Sequence, residues 1–389
     1  MITKIKNGRL ILKGGIDDEK SLYIKDSRIL AITEEELLFD KEIDANGAYV
    51  SPGFIDIHTH GGGGYDFMDG GIEPIIKACA MHMKYGTTSI LPTTLACSNE
   101  TLLDFLKDLK SVMDEGQSKI RILGTHLEGP YFADSQRGAQ PPEYIKAPKK
   151  AEYEDIIKRY GDIIRRWSFA PELDGSVEFC KTLKENKILP SIAHSDAVLE
   201  EIEPVYDAGC RMVTHLYSGM SSITRKGGFR HLGVVETTYL YDDMNAEIIA
   251  DGCHLPGPLL KLIVKQLGTD RICLVTDSMR GAGMPEGESL LGRVGEGLPC
   301  IIEDGVAKMM DKSGFAGSVA TADRLVRTMV KEAGCSVADA VKMVTENPAK
   351  ILGVDDIGEL KTDNFADIVI FDDDINIKCV IANGEPFVM

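Results

Sequence analysis

The stretch Pro52–Gly64, PGFIDIHTHGGGG, decides how the chain is read. An apolar, β-forming run ends in two histidines two positions apart, and four glycines follow. Because side chains alternate along a strand, His58 and His60 point to the same face, where the chain leaves the strand. Taken alone, the pattern suits a metal site, a phosphate cradle or a strand running into a flexible turn.

Working outward, similar apolar runs recur at Gly53–His58, Thr87–Pro92, Ile120–Leu127, Ile163–Ala170, Ile188–Ala193, Arg211–His215, Ala246–Asp251 and Arg271–Thr276. Segments of helical period separate most of them, such as NETLLDFLKDLKSVMDEG from Asn99 to Gly116. Eight strand-then-helix units over about 230 residues predict an α/β fold, a (β/α)8 TIM-like barrel whose active site gathers at the C-terminal strand ends. The sixth unit, Ser218–Asp243, reads as a long loop with short helices. Helices at 321–334 and 337–353 close the barrel side. Residues 1–50 and 357–389 carry short alternating strands with Asn-Gly turns, so the two termini are expected to pair into a small β-sandwich domain. The barrel then occupies 51–356, with a hairpin insertion at 290–312.

Composition narrows the function classes. With 43% hydrophobic residues and no apolar run near 18 residues, no membrane span is expected. The N-terminus shows no long apolar segment before a small-residue cleavage site, so a cytoplasmic location is expected. Nine scattered cysteines without a CxxC point to reduced thiols. A net charge of −18 repels nucleic acid and acidic membrane, so an anionic ligand must meet a local exception.

Candidate chemistry lies at the predicted strand ends. They carry His58 and His60, His126 and Glu128, His194, His215, His254 and Asp277. Six of the eight histidines thus fall on one rim. Imidazole with carboxylate and no thiolate suits zinc, iron or manganese, one or two per chain, and an open position for water makes such a site hydrolytic. Each motif alone has a plainer reading: HxH as hydrogen-bonded core, TDS at 276–278 as a helix cap. His82 within a helix and His231 in a loop have no such company and are read as structural. Gly61–Gly64 match neither GxGxxG nor GxxxxGK[ST], and are read as a loop letting backbone pass close to metals and substrate.

The motifs PGFIDIHTHGGGG, HLEGPY, SIAHSDA, THLYSGM, IADGCH and LVTDSM, in this order, resemble the amidohydrolase superfamily, and specifically its N-acetylglucosamine-6-phosphate deacetylases. The resemblance spans nearly the whole chain. It implies metal ligands Glu128, His194 and His215, with His58, His60 and Asp277 completing a second position; some members lack the HxH and hold one metal. It also implies Asp277 as the proton-transferring catalytic group, hydrolysis of the acetamide of an N-acetylamino sugar 6-phosphate, and a homodimer whose phosphate contact crosses subunits.

Substrate contacts carried by the resemblance are Ala139, Gln140, Ser218, Gly219, His254 and the turn Phe315, Ala316, Gly317, with Lys226 at the phosphate-gripping position beside Arg225 and Arg230. Two departures stand out. Gln140 replaces a histidine expected to donate to the oxyanion, and Ser218-Gly219 replace an Asn-Ala pair. They keep other readings open: an N-acetylgalactosamine 6-phosphate or N-acyl amino acid substrate, or a non-catalytic sugar-phosphate-binding relative.

Overall fold

A computed structural model describes residues 1–312 and 314–388. Among them, eight strands stand side by side in chain order: β1 (Phe54–Thr59), β2 (Thr87–Pro92), β3 (Thr125–Glu128), β4 (Ile164–Phe169), β5 (Leu189–Ile192), β6 (Met212–Val213), β7 (Asn245–Ile248) and β8 (Ile272–Leu274). Ladder pairings are parallel throughout. β2 meets β3 through a parallel bridge between Thr93 and His126. The ring closes where the Asp277 N–H donates to the His58 carbonyl at 2.8 Å. Asp56 reinforces that seam from β1, accepting the Thr276 hydroxyl at 2.5 Å.

The predicted third strand is broken. Arg121–Ile122 pairs with β2, Thr125–Glu128 pairs with β4, and Gly124 between them sits at φ 139°. A Cβ there would lie 2.4 Å from the Ile163 carbonyl, so the break requires glycine. After β6 the chain forms an exposed hairpin, Thr224–Lys226 against Phe229–His231, before a short helix, Val234–Leu240. The predicted helix 337–353 is two helices, Val337–Val344 and Glu346–Leu352, joined at Thr345. Pro348 lacks the N–H to continue the earlier helix, and the Asn347 amide instead donates to the carbonyls of Thr269 and Ile272 at 2.7 Å each.

Apolar residues facing outward from the strands, including Ile90, Leu127, Trp167, Phe169 and Ile192, pack with the surrounding helices into the main core. The terminal segments build two further sheets. One has six strands, in which Ile368–Phe371 pairs antiparallel with Tyr49–Pro52, so the C-terminal segment lies directly against the chain entering β1. The other has four, centred on Ile2–Lys6 and Ser21–Lys25. Ile5, Leu10, Leu22, Ile24, Val50 and Ile368 form their common core. Residues 287–309 form a three-stranded antiparallel sheet.

Candidate metal centre

Strand parity explains the lower part of the site. Asp56, His58 and His60 share one parity on β1 and its exit, as do His126 and Glu128 on β3. His126 is one step too deep: it is fully buried and its Nε2 meets Ser168 Oγ at 2.7 Å, inside the barrel rather than at the rim. Glu128 stands at the rim.

Parity fails for two of the other ligands. His194 and His215 share the parity of the outward-packing Ile192 and Val213 and would point outward if the strands continued, whereas Asp277 keeps the parity of Cys273, which pairs with the inward Glu247. All three have positive φ, at 45°, 29° and 46°. A left-handed residue re-aims its side chain, and non-glycine residues adopt that conformation at a cost of about 1–3 kcal/mol, a strain that collects at functional sites.

The result is two groups of three. Donor atoms of Glu128, His194 and His215 lie within 4.8 Å of one another, as do those of His58, His60 and Asp277. Glu128 joins the groups. Its Oε1 is 3.0 Å from His215 Nε2, 3.4 Å from His194 Nε2 and 3.4 Å from His58 Nε2, and its Oε2 is 3.5 Å from His60 Nε2. Asp277 Oδ1 lies 3.2 Å from His58 Nε2 and 3.1 Å from His60 Nε2.

The donor set can be tested for a cation on one atom. His58 Nδ1 meets the Glu247 carboxylate at 3.1 Å and must carry the ring proton. Nε2 is then a bare lone pair; it is buried, makes no hydrogen bond, and faces carboxylate oxygens of Glu128 and Asp277. Lone pair against carboxylate at that range is repulsive, and a cation between them removes the conflict. The residues present therefore fit a divalent metal.

Electrostatics agree. Burial would raise Asp277, but His58 and the hydrogen-bonded His60 outweigh it and hold the carboxyl at about 2. Glu128 is likewise held well below the usual range, burial being overcome by His58, His194 and His215. Burial pushes His58 down to about 3. For His60 the Asp277 hydrogen bond and the two carboxylate charges overcome burial and lift it to about 9.

A cavity of about 220 Å³ opens over these groups, lined by His60, Glu128, His194, His215 and Asp277 together with Ala139, Gln140, Ser218, Gly219, His254, Phe315 and Gly317. Of the remaining sequence-expected contacts, Ala316 is fully buried in the small core beneath and does not line the cavity. Arg225, Lys226 and Arg230 are exposed on the projecting hairpin and do not line it either. Among the described residues, no lysine or arginine lines this cavity.

Gln140 is tied to the ligands. Its Nε2 donates to Glu128 Oε2 at 2.7 Å and its Oε1 accepts the Ala96 N–H at 2.8 Å, so one amide hydrogen is spent on a ligand. Gly219, at φ 57°, is where a Cβ would lie 2.8 Å from His194 Nδ1 and 2.9 Å from the Gln136 carbonyl that accepts from it. His254 Nδ1 is fixed by Asp251 at 2.8 Å.

Sequence reasoning passed over Asp251, Glu247 and Arg166. The signal for the last two was a charge inside an otherwise apolar strand, NAEIIA and IRRWSFA. The glycines have a different task from the one expected. Gly61–Gly64 do not line the cavity; Gly61-Gly62 pair with Tyr65-Asp66, and a Cβ on Gly61 would lie 2.2 Å from the Tyr65 carbonyl. The structural role of His82 is to hold this turn, with Nε2 2.9 Å from the Gly61 carbonyl.

Comparison with known proteins agrees with this architecture. The amidohydrolase family model matches residues 49–387. The chain is 31% identical to the N-acetylglucosamine-6-phosphate deacetylase of Lysinibacillus sphaericus, covering 98% of this chain and 96% of that protein. It is also 31% identical to the N-acetylgalactosamine-6-phosphate deacetylase of Escherichia coli O157:H7, over 97% of each. The crystal structure of the N-acetylglucosamine-6-phosphate deacetylase of Pasteurella multocida superposes with a TM-score of 0.92 at 27% identity, covering both chains fully. A mutant of the Mycobacterium smegmatis enzyme, solved in complex with N-acetyl-D-glucosamine-6-phosphate, superposes with a TM-score of 0.90 at 26% identity over 100% of this chain and 99% of that one. The chain belongs to the amidohydrolase family.

Proposed function

We propose that this protein hydrolyses the acetamide of N-acetylglucosamine 6-phosphate, releasing acetate and glucosamine 6-phosphate, and that it does so with two divalent cations, zinc, iron or manganese. The observation that carries the reading is the pair of ligand triads sharing Glu128 beneath an open cavity. A divalent cation bound there supplies Lewis-acid polarisation of the amide carbonyl and lowers the pKa of water from about 15.7 toward about 7.

The chain's own groups do the rest. Asp277, ionised at neutral pH, takes a proton from the attacking water and returns it to the departing amine, which cannot leave as an anion. His254 and Gln140 present polar groups to the sugar and acyl portions, and Ser218, Gly219, Ala139, Phe315 and Gly317 shape the pocket around them. Because the lining holds no fixed cation, the phosphate is met by the exposed hairpin of a second copy, through Arg225, Lys226 and Arg230. Ile223 and Phe229, exposed on the same hairpin at 53% and 77%, give a homodimer contact an apolar component. Nine free thiols accord with a cytoplasmic location.

The experiment is release of acetate from N-acetylglucosamine 6-phosphate by the metal-loaded protein, wild type against Asp277→Asn. A loss on the order of 10²–10⁴-fold in kcat is expected, and undiminished turnover rejects the mechanism. The equal identity to an N-acetylgalactosamine-6-phosphate deacetylase favours one rival, deacetylation of N-acetylgalactosamine 6-phosphate. A higher kcat/KM on that epimer would replace the substrate while leaving the reaction in place.

A further inference from the structure

The Glu247 carboxylate that meets His58 belongs to a buried charge pair. Glu247 on β7 and Arg166 on β4 are fully enclosed inside the barrel and form an ion pair. Replacing such a pair with apolar side chains is often neutral or stabilising, so stability alone does not explain its presence.

The contacts point to another role. Glu247 Oε2 accepts from His58 Nδ1 at 3.1 Å and from the His215 N–H at 3.3 Å. Arg166 holds the other oxygen, Oε1, and is anchored in turn by Ser191 Oγ at 2.9 Å and Thr214 Oγ1 at 2.7 Å. The carboxylate therefore has no freedom to turn. The His58 ring is wedged on its other side by His126, edge to face with centroids 4.6 Å apart. Neither His194 nor His215 has this support: His194 Nδ1 meets a main-chain carbonyl, and His215 Nδ1 has no hydrogen-bond partner.

We propose that the Glu247–Arg166 pair is a positioning device for the His58, His60 and Asp277 cation position: it fixes His58 in the Nδ1-protonated tautomer, so that Nε2 is presented as a ligand. The inference rests on the metal-dependent reading of the centre. Carboxylates behind a ligating histidine set its tautomer and basicity, and their loss typically weakens metal binding about 10–100-fold.

Removing Glu247 alone would strand a buried guanidinium, so both test variants carry Arg166→Met: one with Glu247→Leu, which removes both charges and the acceptor, the other with Glu247→Gln, whose amide oxygen is then free to accept from His58 Nδ1. The purified full-length protein is titrated with Zn²⁺ against a chromophoric chelator, with melting curves to verify folding. Two equivalents are expected for wild type. The Glu247→Leu double variant should keep one at wild-type affinity and bind the second about 10–100-fold more weakly, and His58→Ala, which removes the ligand itself, should weaken that position at least as much. Arg166→Met with Glu247→Gln should lose less.

Two equivalents at wild-type affinity in the folded Glu247→Leu double variant overturn the proposal. So does a wild type holding a single equivalent that is indifferent to His58→Ala. A second measurement avoids any folding problem: nitrogen-15 histidine NMR of metal-free wild type, with His58 assigned by its absence in His58→Ala. The Nδ1–H tautomer supports the proposal and the Nε2–H tautomer overturns it. Failure of acetamide hydrolysis would instead reject the deacetylase reading, leaving the metal counts to judge this one.

Discussion

The two ligand triads share an edge at Glu128 but are braced by opposite means. Glu128, His194 and His215 are steadied by dipoles from loops: the Gln140 amide on Glu128 Oε2 and the Gln136 carbonyl on His194 Nδ1. His58 is steadied from within the barrel by a buried carboxylate, itself pinned by a guanidinium. Loop dipoles are cheap to bury but move with their loop. A buried ion pair costs desolvation and, once packed, cannot drift. One centre thus combines an adjustable half near the substrate with a rigid half on the barrel axis.

The largest effect is expected where the halves meet. Glu128→Gln removes the charge both triads use, and turnover should fall by on the order of 10³-fold or more, with several kcal/mol of transition-state stabilisation lost. Retention of two bound cations by this variant would show that the triads do not depend on a common ligand.

Gly219→Ala addresses the loop-braced half alone. Its methyl must displace the His194 ring or the Gln136 carbonyl, so cation affinity at the Glu128, His194 and His215 position should drop about 10–100-fold while the other position is unchanged. Chelator competition on the two positions separates these outcomes, and an equal loss at both would erase the distinction.

Titration sharpens the other half. In metal-free protein His60 keeps its proton up to about 9, against an ordinary value of 6.5. A raised folded-state pKa gives stability that is fully present below about 6.5 and is lost as pH rises through about 9. The melting temperature of metal-free wild type should therefore decline across that window more than that of His60→Gln. Cation binding must displace the same proton, so affinity at this triad should rise with pH, by about tenfold per unit below 9.

The smallest effect belongs to the support under the turn. His82→Ala leaves the Gly61 carbonyl only the long Ser278 hydroxyl contact at 3.5 Å and should cost about 1–3 kcal/mol of stability by denaturant unfolding, with cation affinity at both positions little altered.

Much of this was legible before any coordinates. Barrel strands announce themselves by short apolar runs at regular spacing, and ligands fall at their ends because that is where the fold gathers chemistry. Alternation correctly paired His58 with His60. It gave no account of His194 and His215, whose aim depends on a left-handed φ that no local pattern specifies. Alternation also put His126 on the rim, whereas depth in the barrel decides, and depth follows strand stagger. The glycine run was read as clearance for substrate because it follows the ligands; its neighbour is instead the helix Ile72–Met83, through Met81 and His82, a contact between segments that sequence order does not reveal. The basic residues 225–230 were found by charge, but their place on a projecting hairpin is a matter of topology.

The seam of the barrel has a further consequence for how the protein matures. The hydrogen bond that joins first strand to last runs between the backbones of two ligand residues, Asp277 and His58. His60 and Asp277, 217 positions apart, come together only when that seam forms. A chain synthesised as far as β7 already owns Glu128, His194 and His215, yet holds only two of the other triad's three members. On the proposed two-cation reading, uptake of the second cation reports that the ring has shut, and a barrel that fails to shut is denied the full centre.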